Sequence, residues 1–474
     1  MRKILHSILE FLQEDSSIFR LINYKGGVNM LTSIVGINWG DEGKGRVVDK
    51  EAENYDIVVR YQGGNNAGHT VENEKGKFIL NLLPSGITRE GVVNVMGNGM
   101  VIDIEHLAGE MQKLKDKGIE ITPENLKISD RAIICMPYHV QQDCLEEERL
   151  GAEKYGSTRK GIAPVYSDKY AKKGIRIGDL LDYNTLEKKL QKIVNWKTLT
   201  AEKVYGAEPI SFDGNFEWLK KYGEIIKPYI TDTTKYLEEA IKKNKDILFE
   251  AQLGALRDIE FGIWPFTTSS HTIAAYATAG AGIPGHKLDK TIGIMKAYST
   301  CVGGGPFTVE MFGDNAEVLR TVGNEYGATT GRPRRVGPFD IPASKYGIMI
   351  QGADEIALTK LDVLSYMDEI PVCVAYDIDG KLTTDFPIGD ALNRAKPIIE
   401  YLPGFKQDIS HIRKMEDLPQ EAKDYIKFIA QQTGANIKYI SVSPEREAYI
   451  EVGNRIKKID RHMQKQYSGP YSFC

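Results

Sequence analysis

The densest chemical signal in this chain is the run Gly36-Ile-Asn-Trp-Gly-Asp-Glu-Gly-Lys-Gly-Arg46, which follows an apolar β-branched stretch and precedes a helical pattern. Gly40, Gly43 and Gly45 allow the backbone to approach a ligand closely, and the free amides at a helix start suit a phosphate. Lys44 adds a point charge among those amides. The run is not a Walker A loop. That motif places a glycine five residues before its Gly-Lys pair, where Asn38 stands, and follows the lysine with Ser or Thr, where Gly45 stands. A glycine-rich turn by itself is often only a tight turn. Asp41 and Glu42 argue for more, because an anion-binding loop excludes carboxylates unless one ligates a metal or moves a proton.

A second segment, Gly63-Gly-Asn-Asn-Ala-Gly-His-Thr70, carries an imidazole at His69. A lone histidine is more often structural than catalytic. Together, however, the two runs resemble the WGDEGKGK and GxNAGHT signatures of the adenylosuccinate synthetases, with Arg46 for the last lysine and Asn38 for the usual glutamine before Trp39. The resemblance continues in order along the chain. Ser157-Thr158, Gly161-Ile-Ala-Pro164 and Gly174-Ile-Arg-Ile-Gly-Asp-Leu180 are similar to the family's monophosphate region, as are Leu248-Phe-Glu250 and Trp264-Pro-Phe-Thr-Thr-Ser-Ser270. Thr329-Thr-Gly-Arg-Pro-Arg-Arg335 resembles its aspartate loop, and Leu358-Thr-Lys-Leu-Asp362 its guanine-reading segment.

The resemblance implies GTP-dependent ligation of L-aspartate to IMP, giving adenylosuccinate, GDP and phosphate through a 6-phosphoryl-IMP intermediate. Phosphorylation turns the 6-oxygen of the purine into a leaving group that the aspartate amine displaces. The purine N1–H must lose its proton in that step, and Asp41 is the implied base. His69 would donate to the phosphate in transfer. Asp41 and the backbone carbonyl of Gly68 are the implied protein ligands of Mg²⁺. The phosphates of GTP would rest on Gly40, Glu42, Gly43, Lys44, Gly45 and Arg46, with Gly68, His69 and Thr70 close by. Guanine presents N1–H and N2–H₂ donors that a carboxylate accepts as a pair, which suits Asp362, with Lys360 and Leu361 beside the base. Ser441, Val442 and Ser443 lie where the family closes over guanine, although glycine is usual at 443.

Aspartate carries two carboxylates, and arginine is their natural bidentate partner. Arg332 and Arg334 are the candidates, within a loop formed by Ala328, Thr329, Thr330 and Gly331. By the resemblance Arg332 also reaches the ribose of IMP, and Arg334 also touches GTP. The remaining IMP contacts implied are Asp41, Lys44, Asn66, Ala67, Gly68 and His69, then Thr158, Lys172, Gln252 and Thr268.

Two of these depart from the family pattern. Lys172 stands where a partner-chain arginine normally binds the 5′-phosphate, so charge is kept and the guanidinium fork is lost. In Glu250-Ala-Gln-Leu-Gly254 the usual order is Glu-Gly-Ala-Gln-Gly, so Leu253 occupies the position of a purine-contacting glutamine and Gln252 precedes it by one. Either Gln252 takes over that contact or the base is read differently. The second possibility keeps open the same chemistry on a guanine monophosphate, giving a 2-amino product. A GTP-binding switch without ligase chemistry is a third reading, which loss of Asp41, His69 or the arginine loop would have favoured.

These loops need a large frame. Short β-branched runs at 32–37, 56–61, 78–83, 92–96, 246–249, 291–296 and 370–376 alternate with helical patterns, and several are apolar throughout, as in strands covered on both faces. Ile104, Leu107, Met111 and Leu114 form a helical stripe, and residues 180–245 read as a charged helical insertion. The expected fold is α/β: a large central mostly parallel sheet flanked by helices with helical insertions, the P-loop-like adenylosuccinate synthetase fold. Residues 30–474 form one synthetase-type domain in this reading, working as a homodimer with Lys172 reaching the partner's site. Residues 1–29 are read as an N-terminal extension or a misassigned start.

With 42% hydrophobic and 27% charged residues the 474-residue chain can bury a large core, and its net charge of −4 gives no reason to expect a nucleic-acid partner. No apolar run approaches the roughly 20 residues that span a bilayer. Five cysteines without a CxxC pair fit a reduced, cytoplasmic chain better than a disulfide framework.

Overall fold

The computed structural model describes residues 30–66, 68–73, 76–327, 331–445 and 447–453. Residues 1–29, Ala67, residues 328–330 and Cys474 therefore lie outside the described residues.

A ten-stranded sheet forms the frame. In chain order its strands are β1 (Leu31–Gly36), β2 (Ile57–Arg60), β3 (Val93–Met96), β4 (Leu126–Ser129), β5 (Ile230–Thr231), β6 (Ile247–Gly254), β7 (Lys290–Lys296), β8 (Glu355–Thr359), β9 (Ile437–Ser441) and β10 (Tyr449–Glu451). Their spatial order is β10-β9-β8-β7-β1-β6-β2-β3-β4-β5. Every pairing is parallel except that of β9 with β10.

All six residues of β1 are buried, as a central strand covered on both faces requires. Its side chains divide with period two. Leu31 and Val35 join Ile57, Val59, Ile247 and Phe249 on one face, whereas Ile34 joins Val58, Leu248 and Ile292 on the other. Against the second face packs helix α1 (Lys44–Glu51), through Val47 and Val48.

Helix α2 (Ile104–Asp116) begins at Asp103, whose carboxylate accepts from the His106 amide at 3.0 Å. It buries the expected stripe of Ile104, Leu107, Met111 and Leu114. Helices α3 (Pro137–Leu150) and α4 (Ile162–Tyr170) precede the insertion, which contains α5 (Tyr183–Tyr205), α6 (Phe212–Ile226) and α7 (Thr233–Lys242). Asp182, Ser211 and Asp232 cap these three helices. Leu186, Leu190 and Leu219 of the insertion share one apolar cluster with α2. The insertion also supplies β5 at one edge of the main sheet.

Two of the expected strands form but lie outside the main sheet. The 78–83 run contributes to Gly76–Leu80, which pairs only with His69–Asn73 in a two-stranded hairpin. The 370–376 run lies in Glu369–Ile378, the centre of a separate four-stranded sheet. Conversely β4, β8 and β9 belong to the main sheet without having been expected. Their runs are short, and Lys127, Glu355 and Lys438 interrupt the apolar pattern.

Candidate functional site

The chemistry-bearing loops converge at the carboxyl ends of neighbouring parallel strands, where open α/β sheets place their ligand crevices. After β1 comes the loop 37–43, after β2 residues 61–66 and Gly68, after β6 the segment beyond Gly254 and after β8 Lys360, while Ser441 closes β9 itself.

The first loop is shaped by residues that leave ordinary backbone space. Gly40 and Gly43 have φ of 101° and 94°, and Asp41 itself has φ of 59°. A side chain on Gly36 would strike the Leu253 carbonyl oxygen at 2.4 Å, and one on Gly45 would meet Cβ of His69 at 2.8 Å. The two motifs are therefore pressed together by the absence of side chains. Glu42 turns inward: its carboxylate accepts from the amides of Asn38 (3.1 Å) and Gly40 (2.8 Å) and from Lys44 Nζ (2.9 Å). Both Glu42 and Lys44 are buried, so the Glu42 carboxylate braces the loop while Lys44 is held beside it. Asp41 is the more exposed carboxylate, and its Oδ2 lies 2.9 Å from Arg334 Nε as an ion pair without hydrogen-bond alignment.

His69 is buried with Nδ1 on the Glu250 carboxylate, and its Nε2 has no hydrogen-bond partner. Glu250 also accepts from the Ser85 amide at 2.7 Å and the Ser85 hydroxyl at 2.6 Å. Burial pushes the His69 pKa down against the pull of Glu250. For Glu250, burial alone would raise the pKa, but His69 and the fully buried Arg60 outweigh it and hold the carboxylate low. The Glu250 carboxylate is thus kept anionic against the imidazole Nδ1. Neither Glu250 nor Ser85 was assigned a role from the sequence. Glu250 stands in a quoted motif, but nothing local marks it as the partner of a residue 181 positions away.

The Arg46 guanidinium points away from the phosphate loop. It donates to Ser441 Oγ at 2.7 Å, reaches the carbonyls of Glu445 and Ala448, and stacks 4.3 Å from the Tyr449 ring centre. Only its backbone amide remains in the loop. Ser441 Oγ donates in turn to the Ser443 carbonyl, and the Val442 amide closes the turn onto Ala448. Lys360, with φ of 60°, donates to the Gly323 carbonyl at 2.6 Å and to Glu325 at 2.8 Å. Leu361 is buried beneath it, while Asp362 is half-buried and makes no ion pair among the described residues. Burial pushes the Asp362 carboxyl up, against its backbone amide, Lys360 and Arg46.

Gln252, the residue expected near the purine, is held by the second glycine loop. The side chain is fully buried, its Oε1 accepting from the Gly64 amide and its Nε2 donating to the Gly64 carbonyl, both at 3.1 Å. The carboxamide is thus turned beneath the second glycine loop, and Leu253, with φ of 63°, lies at the irregular end of β6 beside Gly40. The reason is steric as well as polar: Gly63 has no side chain, and any Cβ there would overlap Gln252 Oε1.

Other candidates are more peripheral. Asn66, Gly68 and Thr70 are half-buried in the second loop. Thr158 is exposed in a segment tied to α3, where Glu147 accepts from the amides of Tyr155, Gly156 and Ser157, and Asp143 from Gly161. Lys172 is exposed in the turn after α4. The Thr268 amide donates to the Arg257 carbonyl at 2.9 Å. Gly331 and Arg332 are exposed at the edge of the arginine loop, the Arg332 carbonyl accepting from the Gly327 amide. Ala67, Ala328, Thr329 and Thr330 lie outside the described residues.

A glycine-rich helix start, a loop carboxylate and a histidine braced by Glu250, set at strand ends of an α/β sheet, are an arrangement suited to a nucleotide-handling group-transfer enzyme. Comparison with known proteins makes this specific. The adenylosuccinate synthetase family model matches residues 33–450. The chain is 45% identical over 425 residues to the adenylosuccinate synthetase of Caldanaerobacter subterraneus subsp. tengcongensis, covering 90% of this chain and 99% of that protein. It superposes on fully ligated adenylosuccinate synthetase from Plasmodium falciparum with a TM-score of 0.84 and 34% identity, covering 89% of this chain and 100% of that one. Cyanophage S-2L succinoaminodeoxyadenylate synthetase, bound to dGMP and dATP, is 18% identical with a TM-score of 0.56 over 90% of this chain and 97% of that one, a likeness of fold alone. This chain belongs to the adenylosuccinate synthetase family, which ligates aspartate to IMP using GTP.

Proposed function

We propose that Asp41 removes the N1 proton of IMP while the 6-oxygen attacks the γ-phosphorus of GTP, giving 6-phosphoryl-IMP and GDP. The aspartate amine then forms the new C–N bond as phosphate leaves with the 6-oxygen. The carrying observation is that Asp41 is the partly exposed carboxylate of a loop whose other carboxylate, Glu42, is used internally. His69 presents Nε2 to the phosphoryl group, and the Glu250 carboxylate behind Nδ1 favours the protonated ring that donation requires. Arg332 and Arg334 receive the carboxylates of aspartate, and Asp362 accepts the paired donors of guanine.

The oxygen donors available suit Mg²⁺. No cluster of three or more His, Cys, Asp or Glu side chains among the described residues forms a metal cage, and Mg²⁺ is commonly held by one or two carboxylates plus phosphates and water. The Asp41 carboxylate and Gly68 carbonyl would hold it, and when bound it draws charge from the phosphate oxygens. Lys172, exposed after α4, serves a second copy of the chain in a homodimer. Residues 30–474 act as one synthetase unit, a reading supported by a sheet that takes strands from near both ends of the described chain. A cytoplasmic setting accords with four free cysteines among the described residues and no helix there long and apolar enough to cross a membrane.

The test is phosphate release from GTP, measured with each substrate omitted in turn. Release strictly dependent on both IMP and aspartate is expected. Release without them describes a GTP hydrolase or switch, and release with a guanine monophosphate in place of IMP describes the 2-amino alternative.

A further inference from the structure

Glu325 lies at the sequence position between the helix Gly313–Val322 and the arginine loop, and no motif marks it. It is completely buried, yet four polar side chains from three other parts of the chain converge on it. Lys296, at the end of β7, reaches both carboxylate oxygens at 2.9 and 3.0 Å. Lys360, just after β8, donates to Oε1 at 2.8 Å, and the Tyr298 hydroxyl donates to the same oxygen. Arg334 Nη1 donates to Oε2 at 2.8 Å, while the Arg334 amide donates to the Glu325 carbonyl at 2.9 Å. Burial would raise the Glu325 pKa, but Lys296, Lys360 and Arg334 hold it far below the carboxylate range. Lys296 is a fixed support, fully enclosed and also bonded to Thr300 Oγ1 at 2.8 Å.

Lys360 and Arg334 are different. Each is long, retains some exposure, and belongs to a segment assigned above to a different substrate. Flexible cationic side chains lose rotamer freedom when fixed, and one rigid carboxylate shared by both fixes them together. Arg334 also pairs through Nε with Asp41, so any movement of its guanidinium is felt on both sides.

We propose that Glu325 is a positioning residue that couples the aspartate loop to the guanine-reading segment, so that seating one of these substrates prepares the site for the other. The proposal rests on the functional reading given above. Withdrawing the shared carboxylate releases Arg334 and Lys360 independently of each other.

The experiment measures steady-state KM for aspartate, GTP and IMP in Glu325→Gln, Lys360→Met and Arg334→Lys. Glu325→Gln keeps the shape but sets an amide donor against cations. It should raise the KM of aspartate and of GTP by about 5-fold or more, the lower range of site-to-site coupling, with IMP within about 2-fold. The aspartate KM should also lose its dependence on GTP concentration. Lys360→Met leaves Glu325 and Arg334 in place and should still raise the aspartate KM, although Lys360 is assigned no contact with aspartate. It therefore stands in if Glu325→Gln does not fold. Unchanged aspartate KM in Lys360→Met, or an equal change for all three substrates in Glu325→Gln, overturns the coupling and leaves Glu325 a structural anchor. Arg334→Lys separates the two levels: an unaltered aspartate KM there defeats the assignment of the loop, whereas an altered one beside unaffected Glu325→Gln and Lys360→Met defeats the coupling alone.

Discussion

Replacing Gln252 with leucine tests whether this side chain reads the purine or braces the loop around it. The Gly64 amide donates to Gln252 Oε1 at 3.1 Å, and leucine leaves that buried donor stranded at about 1–3 kcal/mol. The Gly64 carbonyl keeps its bond from Arg60 Nη2 at 3.2 Å, so loss of the Gln252 Nε2 donor costs only about 0.5–1.5 kcal/mol more. The sum is about 1.5–4.5 kcal/mol. Unfolding entropy of about 2.1 cal/mol/K per residue makes roughly 1 kcal/mol/K for 474 residues, so calorimetry should show Tm lowered by about 1.5–4.5 °C. The loosened loop carries His69, so kcat should fall by about 10-fold or more from misplacement, with IMP KM changed less. Leu253→Gln should do little, because the irregular end of β6 beside Gly40 is already built around leucine. An unchanged Tm with an IMP KM raised about 5- to 100-fold would refute this reasoning, because one lost substrate hydrogen bond and its stranded partner would account for it.

Three further outcomes are expected. Asp41→Asn should lower kcat by about 10²–10⁴ while GTP binding stays measurable by titration, and near-normal turnover would remove Asp41 as the base. Asp362→Asn should narrow the preference for GTP over ITP, which lacks the 2-amino donor; an unaltered ratio of kcat/KM would place guanine recognition elsewhere. A chain starting at Met30 should fold and turn over as the full chain does, since Leu31 already opens the central strand; an insoluble or inactive product would assign residues 1–29 to the fold.

The sequence by itself determined whatever depends on neighbours along the chain. Gly40, Asp41, Gly43 and Lys44 announce a tight turn opening a helix because conformational freedom and a helix start sit within a few residues. The apolar runs of β1, β2, β3 and β7 announce buried strands for the same reason. Which strands share a sheet was not legible: the run containing Ile370 is as apolar as that of β7, yet it pairs in another sheet. Tertiary structure alone decided the partners of the charged groups. Arg46 meets Ser441 across 395 positions, His69 meets Glu250 across 181, and Glu325 gathers Lys296, Lys360 and Arg334. No periodicity relates side chains that meet only because parallel strands end side by side. Gln252 marks the boundary between the two kinds of information. Its one-residue displacement is visible in the sequence, but whether its carboxamide faces the ligand or the Gly64 backbone depends on the space left beneath Gly63, which exists only once β2 and β6 have paired.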